Sequence, residues 1–294
     1  MTLNKEKSFA KINLSLKVLN KREDGYHNIE SYIIFAKIYD SISIKILKNN
    51  NNKIYFNVLG PYSKELKNNK RKNLCYKAAL YFCNKYNIKS DIIVKLHKKL
   101  PISSGIGGGS ANAAATLKLL CKLYNINPND MLNKFSYEIS KKLGADVPAC
   151  LYSKPLFAKN IGDNITYIPY KIKKIINLYK WIILVTPNTK ISTKKIFTMF
   201  NSKKNNFKKN YENQSYLNKI FVNNLKIYAE KYETKIITAQ NILSNQSAIV
   251  FYGMSGSGPT CFGIFKNKKD ALNAKYKIKK LKPNWWIDFS SIIT

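Results

Sequence analysis

Apolar and polar residues alternate in the N-terminal stretch FAKINLSLKV, residues 9–18. The apolar positions are Ile12, Leu14, Leu16 and Val18, and the polar positions between them are Lys11, Asn13, Ser15 and Lys17. Side chains of a strand point alternately to its two faces. A period of two therefore predicts a β-strand with one face buried and the other exposed.

Apolar runs bounded by turn-forming residues predict further strands. A turn is expected at residues 22–28, REDGYHN, before an apolar run at residues 31–46. Other strands are predicted at residues 92–96, 181–187 and 285–292, and residues 248–265 are expected to form a strand, a glycine turn and a second strand.

Helix-forming residues and capping signals predict the helices. Residues 110–124 are rich in Ala and Leu. Asn127 and Pro128 have the residue types preferred at the N-cap and first position of a helix, which is expected to run to Leu143 and to stop at Gly144. The remaining predictions are helical patterns near residues 215–245, a basic helix at 268–281 and a polar, lysine-rich loop at 201–213.

The predicted strands and helices alternate without an internal repeat, which indicates an α/β or α+β protein. The length of 294 residues suits one large domain or two ordinary ones. A domain boundary is expected within residues 160–180.

The composition narrows the class of protein. A hydrophobic content of 45% supports a packed core, and no apolar stretch is long enough to predict a membrane span. The N-terminal residues lack the apolar segment of a signal peptide. The cysteines have neither metal-ligand nor disulfide-framework spacing, so we expect reduced core residues in a cytoplasmic protein. These cysteines are Cys75, Cys83, Cys121, Cys150 and Cys261.

The formal net charge of +35 raises the question of nucleic-acid binding. Only Arg22 and Arg71 are arginines, whereas phosphate and base-edge recognition favours the planar guanidinium group. The combined excess of lysine and asparagine resembles an AT-rich coding bias. A solvated lysine surface is the simpler interpretation, and attraction of anionic substrates is the alternative.

A glycine-rich stretch, PISSGIGGGSANAA at residues 101–114, leads directly into the predicted helix at 110–124. Glycines allow the backbone to adopt positive φ and to approach a ligand closely. Free N–H groups at a helix N-terminus favour phosphate. The stretch is neither a Walker A loop nor a dinucleotide fingerprint. A phosphate site is one interpretation, and a flexible loop with Ser110 as an ordinary N-cap is the other.

Two shorter motifs leave their alternatives open. GMSGSGPT, residues 253–260, is either a plain hairpin turn or the second side of a phosphate-binding site. DGYH, residues 24–27, is either a surface turn with a packed tyrosine or a site where Tyr26 stacks on a ring and His27 bonds its edge.

Asp146 lies in GADVPACL, residues 144–151, among small and apolar neighbours. It follows the expected C-terminus of a helix, where the helix dipole disfavours a negative charge. Such a carboxylate needs a partner or a chemical role, and Lys11 is the candidate cation. A locally hydrogen-bonded turn aspartate is the alternative.

Taken together, these motifs resemble the GHMP kinase superfamily. AKINL, PISSGIGGGSANAA and GMSGSGPTCFGIF match its three motifs in order. AKINLSLKVLNKREDGYHNIES and LGADVPACL resemble the branch that acts on a cytidyl-linked methylerythritol. The resemblance implies an α+β fold of two domains. Residues 1–165 would form the ATP-binding domain of ribosomal-protein type, and residues 166–294 a ferredoxin-like domain.

The resemblance also implies an activity, ATP-dependent phosphorylation of the 2-hydroxyl of the cytidyl-linked methylerythritol in the non-mevalonate isoprenoid pathway. The expected partners are this cytidyl diphosphate substrate and ATP, without nucleic acid or membrane, in a monomer or weak homodimer. Mg²⁺ would be held mainly through phosphates rather than by a protein metal site. The alternatives are a homoserine or mevalonate type of kinase and, remotely, a basic nucleic-acid-binding protein.

Residue roles follow from the matched motifs. The resemblance makes Lys11 and Asp146 the catalytic pair. The ATP-binding residues it implies are Pro101, Ile102, Ser103, Ser104, Gly105, Ile106, Gly107, Gly108, Gly109, Ser110 and Ala111, and the phosphate-loop residues are Ser255, Gly256, Ser257 and Gly258. The substrate-binding residues it implies are Asn13 along the substrate, Tyr26 and His27 at the cytosine, and Phe197 on the far side of the ring.

Three positions depart from the family pattern or lie in unusual surroundings. Ile106 replaces a more usual Leu, and Ala111 replaces a second Ser. Ala111 removes one possible hydroxyl contact with phosphate, although the backbone donors remain. The sequence around Phe197 is lysine-rich.

Overall fold

A mixed seven-stranded sheet is the centre of the N-terminal half. The computed structural model describes residues 4–49, 51–201 and 216–294. The strands are β1 (Asn4–Asn13), β2 (Lys17–Lys21), β3 (His27–Ile46), β4 (Ile54–Leu59), β5 (Ile92–His97), β6 (Leu156–Asn160) and β7 (Asn164–Tyr167). The long strand β3 pairs antiparallel with β1, β2, β5 and β6, whereas β4 and β5 are parallel.

Helices cover this sheet and complete the first hydrophobic core. They are a 3-10 helix (Lys67–Lys72), α1 (Leu74–Lys85), α2 (Gly108–Leu123), α3 (Pro128–Leu143) and α4 (Val147–Tyr152). Helix α2 packs against β1 and β3 and against α1 and α4. Phe82, Leu117 and Ile42 are fully buried in this core, and burial of each such side chain contributes about 1.5–3 kcal/mol. This packing fixes the first turn of α2 relative to β1.

The C-terminal half is built on a four-stranded antiparallel sheet in the order β11-β8-β10-β9. Its strands are β8 (Trp181–Thr186), β9 (Ile249–Met254), β10 (Cys261–Phe265) and β11 (Trp286–Ser291). Its helices are α5 (Tyr170–Leu178), α6 (Thr193–Asn201), α7 (Tyr216–Ile220), α8 (Lys226–Tyr232), α9 (Lys235–Ser244) and α10 (Lys268–Leu281).

A hydrophobic cluster with residues from both sheets joins the two halves. Ile12 and Ile34 of the first sheet are buried in the same cluster as Ile182 and Phe262 of the second. Backbone contacts also cross between the halves, since Ile293 N–H donates to the Phe35 carbonyl at 2.8 Å. The two sheets therefore share a packed interface.

Most predicted elements are confirmed. The helix predicted at 268–281 is α10, and the stretch 248–265 forms the antiparallel pair β9 and β10. Asn127 caps α3, because its Oδ1 accepts the Asn129 N–H at 3.0 Å. Gly144 follows α3 with a φ of 126°. The mixture of strands and helices fits the predicted α+β class.

The strand predicted at residues 9–18 differs in extent and in burial. Strand β1 ends at Asn13, β2 begins at Lys17, and residues 10–16 are buried on both faces. The polar side chain of Lys11 is covered by the first glycine loop, since a Cβ atom at Gly107 would lie 3.1 Å from Lys11 Cβ. Along the strand edge, Lys11 N–H donates to the Ile106 carbonyl and Asn13 N–H donates to Ser255 Oγ. Two loops distant in sequence close over this strand, so the prediction of a half-buried strand is wrong.

Two predictions concern the organisation of the chain. Apart from Asn201, which ends α6, the loop predicted at 201–213 lies outside the described residues. The domain boundary after residue 165 stays a prediction. Strand β7, which belongs to the first sheet, continues to Tyr167.

Candidate active site

Lys11 and Asp146 form an ion pair, with 2.8 Å between Lys11 Nζ and Asp146 Oδ1. Strand β1 supplies Lys11, and the residue just before α4 supplies Asp146. The lysine side chain is 4% exposed and the aspartate side chain 41%. The ammonium group therefore lies on the floor of the site, and the carboxylate lies at its solvent-accessible side.

The surroundings of Asp146 differ from those expected from the sequence. Asp146 occupies the N-cap position of the short helix α4, where the helix dipole favours a negative charge. Its side chain is also partly exposed rather than enclosed by apolar neighbours. The predicted dipole conflict at the C-terminus of α3 is wrong because α4, which carries no strong sequence signal, begins immediately afterwards.

Asn13 holds the ammonium group of Lys11. The Asn13 side chain accepts from Lys11 Nζ at 2.9 Å through Oδ1, and it donates to Ser31 Oγ at 2.7 Å through Nδ2. Asn13 is only 3% exposed. Its predicted contact with the substrate stays a prediction, whereas its contact with Lys11 is present in the folded chain.

The first glycine-rich loop forms a tight turn directly above Lys11. Ser103, Gly105 and Gly107 have positive φ, and α2 begins at Gly108. A Cβ atom at Gly107 would lie 3.1 Å from Lys11 Cβ, so the close approach of loop and strand favours glycine. Ser110 lies inside the first turn of α2, and Gly107 rather than Ser110 is the N-cap. The N–H groups of this turn have no partner within the helix, which suits an anion.

The predicted ATP-binding residues divide into exposed and buried members. Ser103 and Gly109 are exposed, and the half-exposed members are Ile102, Gly105, Gly107, Gly108 and Ser110. The buried members are Pro101, Ser104, Ile106 and Ala111. We therefore expect the exposed and half-exposed residues to face a nucleotide, while the buried residues support the loop.

A buried ion pair underlies the start of α2. Lys98 bonds to Asp40 Oδ2, and the Lys99 and Leu100 N–H groups donate to Asp40 Oδ1 at 2.6 and 2.8 Å. A Cβ atom at Gly108 would lie 3.0 Å from Lys98 Nζ. The pair fixes the chain entering the glycine loop. Sequence analysis missed it because one lysine pair in a lysine-rich chain gives no distinguishing signal.

The second glycine-rich loop, residues 255–258, braces the first. Ser255 is fully buried, and its hydroxyl accepts from Asn13 N–H at 3.2 Å and donates to the Gly105 carbonyl at 2.9 Å. A Cβ atom at Gly105 would lie 2.6 Å from the Gly258 carbonyl oxygen, so the loops meet through backbone atoms. The structure gives Ser255 a bracing role, and its phosphate contact stays a prediction.

The other members of this loop are also engaged with the protein. Ser257 is 5% exposed, and its hydroxyl bonds to Thr193 Oγ1 at 2.8 Å. Gly256 and Gly258 have positive φ, and the Asn223 side chain donates to the Gly256 carbonyl at 2.8 Å. Phosphate contacts of Ser257, Gly256 and Gly258 stay predictions.

A cluster of charges surrounds Tyr26 at the turn between β2 and β3. Lys141 Nζ lies 4.0 Å from the centre of the Tyr26 ring and donates to Asp24 Oδ2 at 2.7 Å. Arg22 also bonds to the carboxylate of Asp24. The hydrogen bonds from Lys141 and Arg22 hold the pKa of Asp24 well below its usual range. Lys141 covers part of the Tyr26 ring, and sequence analysis missed this contact from α3.

His27 and Phe197 are brought together from different halves of the molecule. His27 begins β3 and Phe197 lies on α6, with their ring centres 4.9 Å apart. His27 Nε2 bonds to Asn201 Oδ1 at 2.7 Å. The structure thus brings His27 and Phe197 into contact and pairs one nitrogen of His27 with Asn201, which carried no sequence signal. The contacts of His27 and Phe197 with the cytosine stay predictions.

Comparisons with known proteins agree with this geometry. The GHMP kinases N terminal domain matches residues 73–154, and the GHMP kinases C terminal domain matches residues 208–284. A 4-diphosphocytidyl-2-C-methyl-D-erythritol kinase of Ehrlichia canis is 32% identical, with 98% of each chain covered. One from Clostridium botulinum is 34% identical over 95% of this chain and 96% of its own.

The chain belongs to the 4-diphosphocytidyl-2-C-methyl-D-erythritol kinase family of GHMP kinases. It is an ATP-dependent phosphotransferase.

Solved structures confirm the predicted two-part GHMP kinase fold. A 4-(cytidine 5'-diphospho)-2C-methyl-D-erythritol kinase has a TM-score of 0.75 at 21% identity, covering 99% of this chain and 100% of its own. A homoserine kinase of Cytophaga hutchinsonii has a TM-score of 0.65 at 15% identity, covering 100% and 96%. Since both identities are low, these likenesses concern the fold alone.

Two further sequence predictions bear on this GHMP kinase. All five cysteines are buried and none is in a disulfide, as expected. One of them, Cys150, follows Asp146 by one helical turn, and burial raises the pKa of its thiol to about 12. It therefore carries no nucleophilic thiolate near neutral pH. Within the described ranges, no helix has both the length and the hydropathy of a membrane span.

Proposed function

We propose that the chain transfers the γ-phosphoryl group of ATP to the 2-hydroxyl of 4-diphosphocytidyl-2-C-methyl-D-erythritol, in the non-mevalonate isoprenoid pathway. The observation that carries the proposal is the Lys11–Asp146 pair at 2.8 Å, which lies beside the start of α2. The substrate is inferred from the names of the relatives. The ring of Tyr26 offers a surface on which the cytosine of this substrate can stack.

Phosphoryl transfer requires chiefly positioning and stabilisation of charge. The N–H groups at the first turn of α2 and the exposed backbone of the glycine loop hold the phosphates of ATP. The braced contact with residues 255–258 keeps this loop in one conformation. The reacting phosphorus is thereby placed above Lys11.

Asp146 accepts or orients the proton of the acceptor hydroxyl because it is the carboxylate at the solvent-accessible side of the pair. Lys11 provides the opposite charge and stabilises the negative charge that develops on the transferred group. Asn13 keeps the ammonium group in place from behind.

The cytidyl group is bound at the Tyr26 turn and at α6. Tyr26 stacks on the cytosine, His27 bonds to its edge, and Phe197 contacts the ring from the far side. The distance of 4.9 Å between the ring centres of His27 and Phe197 supports this proposal, because it brings the two side chains together from different halves of the chain. Asn13 would lie along the linking part of the substrate.

Mg²⁺ would be held mainly through the phosphates. Among the described residues, no three His, Cys, Asp or Glu side chains form a metal cluster. A single carboxylate together with substrate phosphates suits Mg²⁺, which keeps several waters and needs few protein ligands. Asp146 is the carboxylate at the reaction centre. The metal supplies neutralisation of phosphate charge when it is bound.

A GHMP kinase acting on homoserine or mevalonate is the nearest alternative, since the homoserine kinase noted above shares the fold. Those acceptors carry no base, so they leave the Tyr26 turn without a role. The lysine-rich surface suits anionic substrates, and the proposal includes neither nucleic acid nor membrane. We expect a monomer or weak homodimer.

The test is a coupled ADP-release assay of the purified full chain with three alcohols at equal concentration. We expect Mg²⁺-dependent release with the cytidyl methylerythritol substrate and only background release with homoserine or mevalonate. Turnover of homoserine or mevalonate, with none of the cytidyl substrate, would contradict the proposal. Binding to DNA or RNA that falls steeply with salt, without any kinase activity, would favour the nucleic-acid alternative.

A further inference from the structure

Ser31 is a fully buried serine of β3 that lies behind the reaction centre. Its hydroxyl donates to the Ser15 carbonyl at 2.6 Å and accepts from Asn13 Nδ2 at 2.7 Å. Asn13 in turn contacts Lys11. A continuous chain of hydrogen bonds therefore connects the backbone at Ser15 to the ammonium group of Lys11.

The direction of each bond in this chain is determined by chemistry. A carbonyl oxygen only accepts, so the single hydroxyl proton of Ser31 is committed to the Ser15 carbonyl. Ser31 Oγ can then only accept from Asn13, and the donor must be the amide nitrogen of Asn13. The amide oxygen of Asn13 consequently faces Lys11 Nζ.

The opposite orientation of the Asn13 amide is disfavoured at both ends. Rotation of the amide by 180° would direct its NH₂ group at the ammonium group of Lys11, placing donor against donor. It would also direct the amide oxygen at Ser31 Oγ, whose proton is already donated. Because all three groups are at most 3% exposed, water cannot compensate for these losses.

The orientation of Asn13 decides where the charge of Lys11 lies. Two of the three Lys11 N–H bonds have acceptors among the described residues, Asn13 Oδ1 at 2.9 Å and Asp146 Oδ1 at 2.8 Å. Two acceptors on different elements fix the position of Nζ. The third N–H bond remains available for the transferred phosphoryl group.

We propose that Ser31 is a positioning residue for phosphoryl transfer, which acts by fixing the amide of Asn13 and thereby the ammonium group of Lys11. This inference rests on the proposed function of the Lys11–Asp146 pair. Ser31 itself contacts neither the substrate nor ATP. Its removal loosens the Asn13 amide behind Lys11, so it lowers kcat more than it changes KM.

The test is Ser31→Ala in the full chain, with Ser140→Ala as the matched control. Ser140 is also a fully buried serine, it lies on α3, and its hydroxyl has no hydrogen-bond partner among the described residues. We expect Ser31→Ala to lower kcat about tenfold, with KM for both substrates within about twofold of wild type. Ser140→Ala should keep kcat within about twofold, and thermal melting checks that both variants fold.

A double-mutant cycle with Asn13→Ala separates positioning from a general structural effect. If Ser31 acts through Asn13, Ser31→Ala causes no further loss of kcat once Asn13 is alanine. An equal loss in both backgrounds, or a change in KM alone, would overturn the inference. If Ser31→Ala does not fold, Ser31→Cys keeps a small side chain that donates only weakly, and the same cycle applies.

A measurement without turnover distinguishes this inference from the proposed function. The side-chain NH₂ signals of Asn13, assigned by their loss in Asn13→Ala, should exchange slowly with solvent in wild type and in Ser140→Ala. We expect faster exchange in Ser31→Ala, and unchanged exchange would refute the positioning role. Absence of ADP release with the cytidyl substrate would instead contradict the proposed function.

Discussion

The reaction centre and the Tyr26 turn are stabilised in opposite ways. Lys11 is held in the interior by groups from β1 and from the start of α4, and its side chain is 4% exposed. Lys141 and Asp24, which hold Tyr26, have side-chain exposures of 24% and 29%. A buried polar network needs nearly complete satisfaction, whereas a partly exposed ion pair is screened by water and contributes little.

This difference indicates that the two regions have separate roles, one in the chemical step and one in binding. The centre is fixed by packing, by Asn13 and by the two glycine loops, so it suits chemistry that depends on position. The Tyr26 turn joins β2 to β3 and depends on exposed charges, so it suits recognition of a ligand. Changes at the centre should therefore lower kcat, and changes at the turn should raise KM.

Among Lys11, Tyr26 and Asp24, the largest effect is expected at Lys11. Lys11→Met keeps most of the apolar stem but removes the charge that stabilises the transferred group, and we expect kcat to fall about 10²–10³-fold. Steady-state ADP release checks the prediction. Lys17→Met, a matched change at an exposed lysine of β2, should leave kcat unchanged. A rise in KM with unchanged kcat would contradict the separate roles of the two regions.

An intermediate effect is expected at Tyr26. Tyr26→Ala removes the stacking surface, and we expect KM for the cytidyl substrate to rise about tenfold, since stacking of one base contributes about 1–3 kcal/mol. KM for ATP should not change, and Tyr26→Phe, which keeps the ring, should stay near wild type. An unchanged KM for the cytidyl substrate in Tyr26→Ala would refute the stacking role.

The smallest effect is expected at Asp24, because exposed ion pairs are weak. Asp24→Asn loosens Lys141 from the Tyr26 ring, and we expect KM for the cytidyl substrate to rise about twofold. Glu23→Gln, at the exposed neighbouring acid, is the control. A tenfold rise would show that the turn is as rigidly determined as the centre.

The pH dependence of Asp24 follows from its lowered pKa. A lowered pKa in the folded chain means that the folded state binds fewer protons than the unfolded state at acidic pH. The contribution of Asp24 to stability is therefore present above the ordinary aspartate pKa and is lost only as the pH falls through the lowered folded value. Between about pH 6 and 8, wild type and Asp24→Asn should show parallel stability curves by thermal melting.

Local patterns predicted the elements better than they predicted the surroundings of the site. The helix at 268–281 and the cap at Asn127 depend on nearby residues, so the sequence suffices for them. The burial of both faces of β1 depends on loops that are distant in sequence, and no local pattern reports it. Lys11 and Asp146 were identified through their motifs.

The residues that the sequence did not reveal share a physical reason. Ser31, Lys141 and Asn201 act through a single contact made by the fold, and each is a common residue type without a distinctive spacing. The six-residue helix α4 is too short for a periodic signal, although it determines the setting of Asp146. These features of the site depend on tertiary contacts, which local sequence patterns do not report.

Turnover and substrate binding of Asp146→Asn, determined in parallel, test whether this carboxylate accepts the hydroxyl proton. We expect kcat to fall about 10³-fold or more because the amide cannot accept that proton, while calorimetric affinity for the cytidyl substrate stays within about threefold and the melting temperature stays near that of wild type. Near-normal turnover in Asp146→Asn would contradict this role.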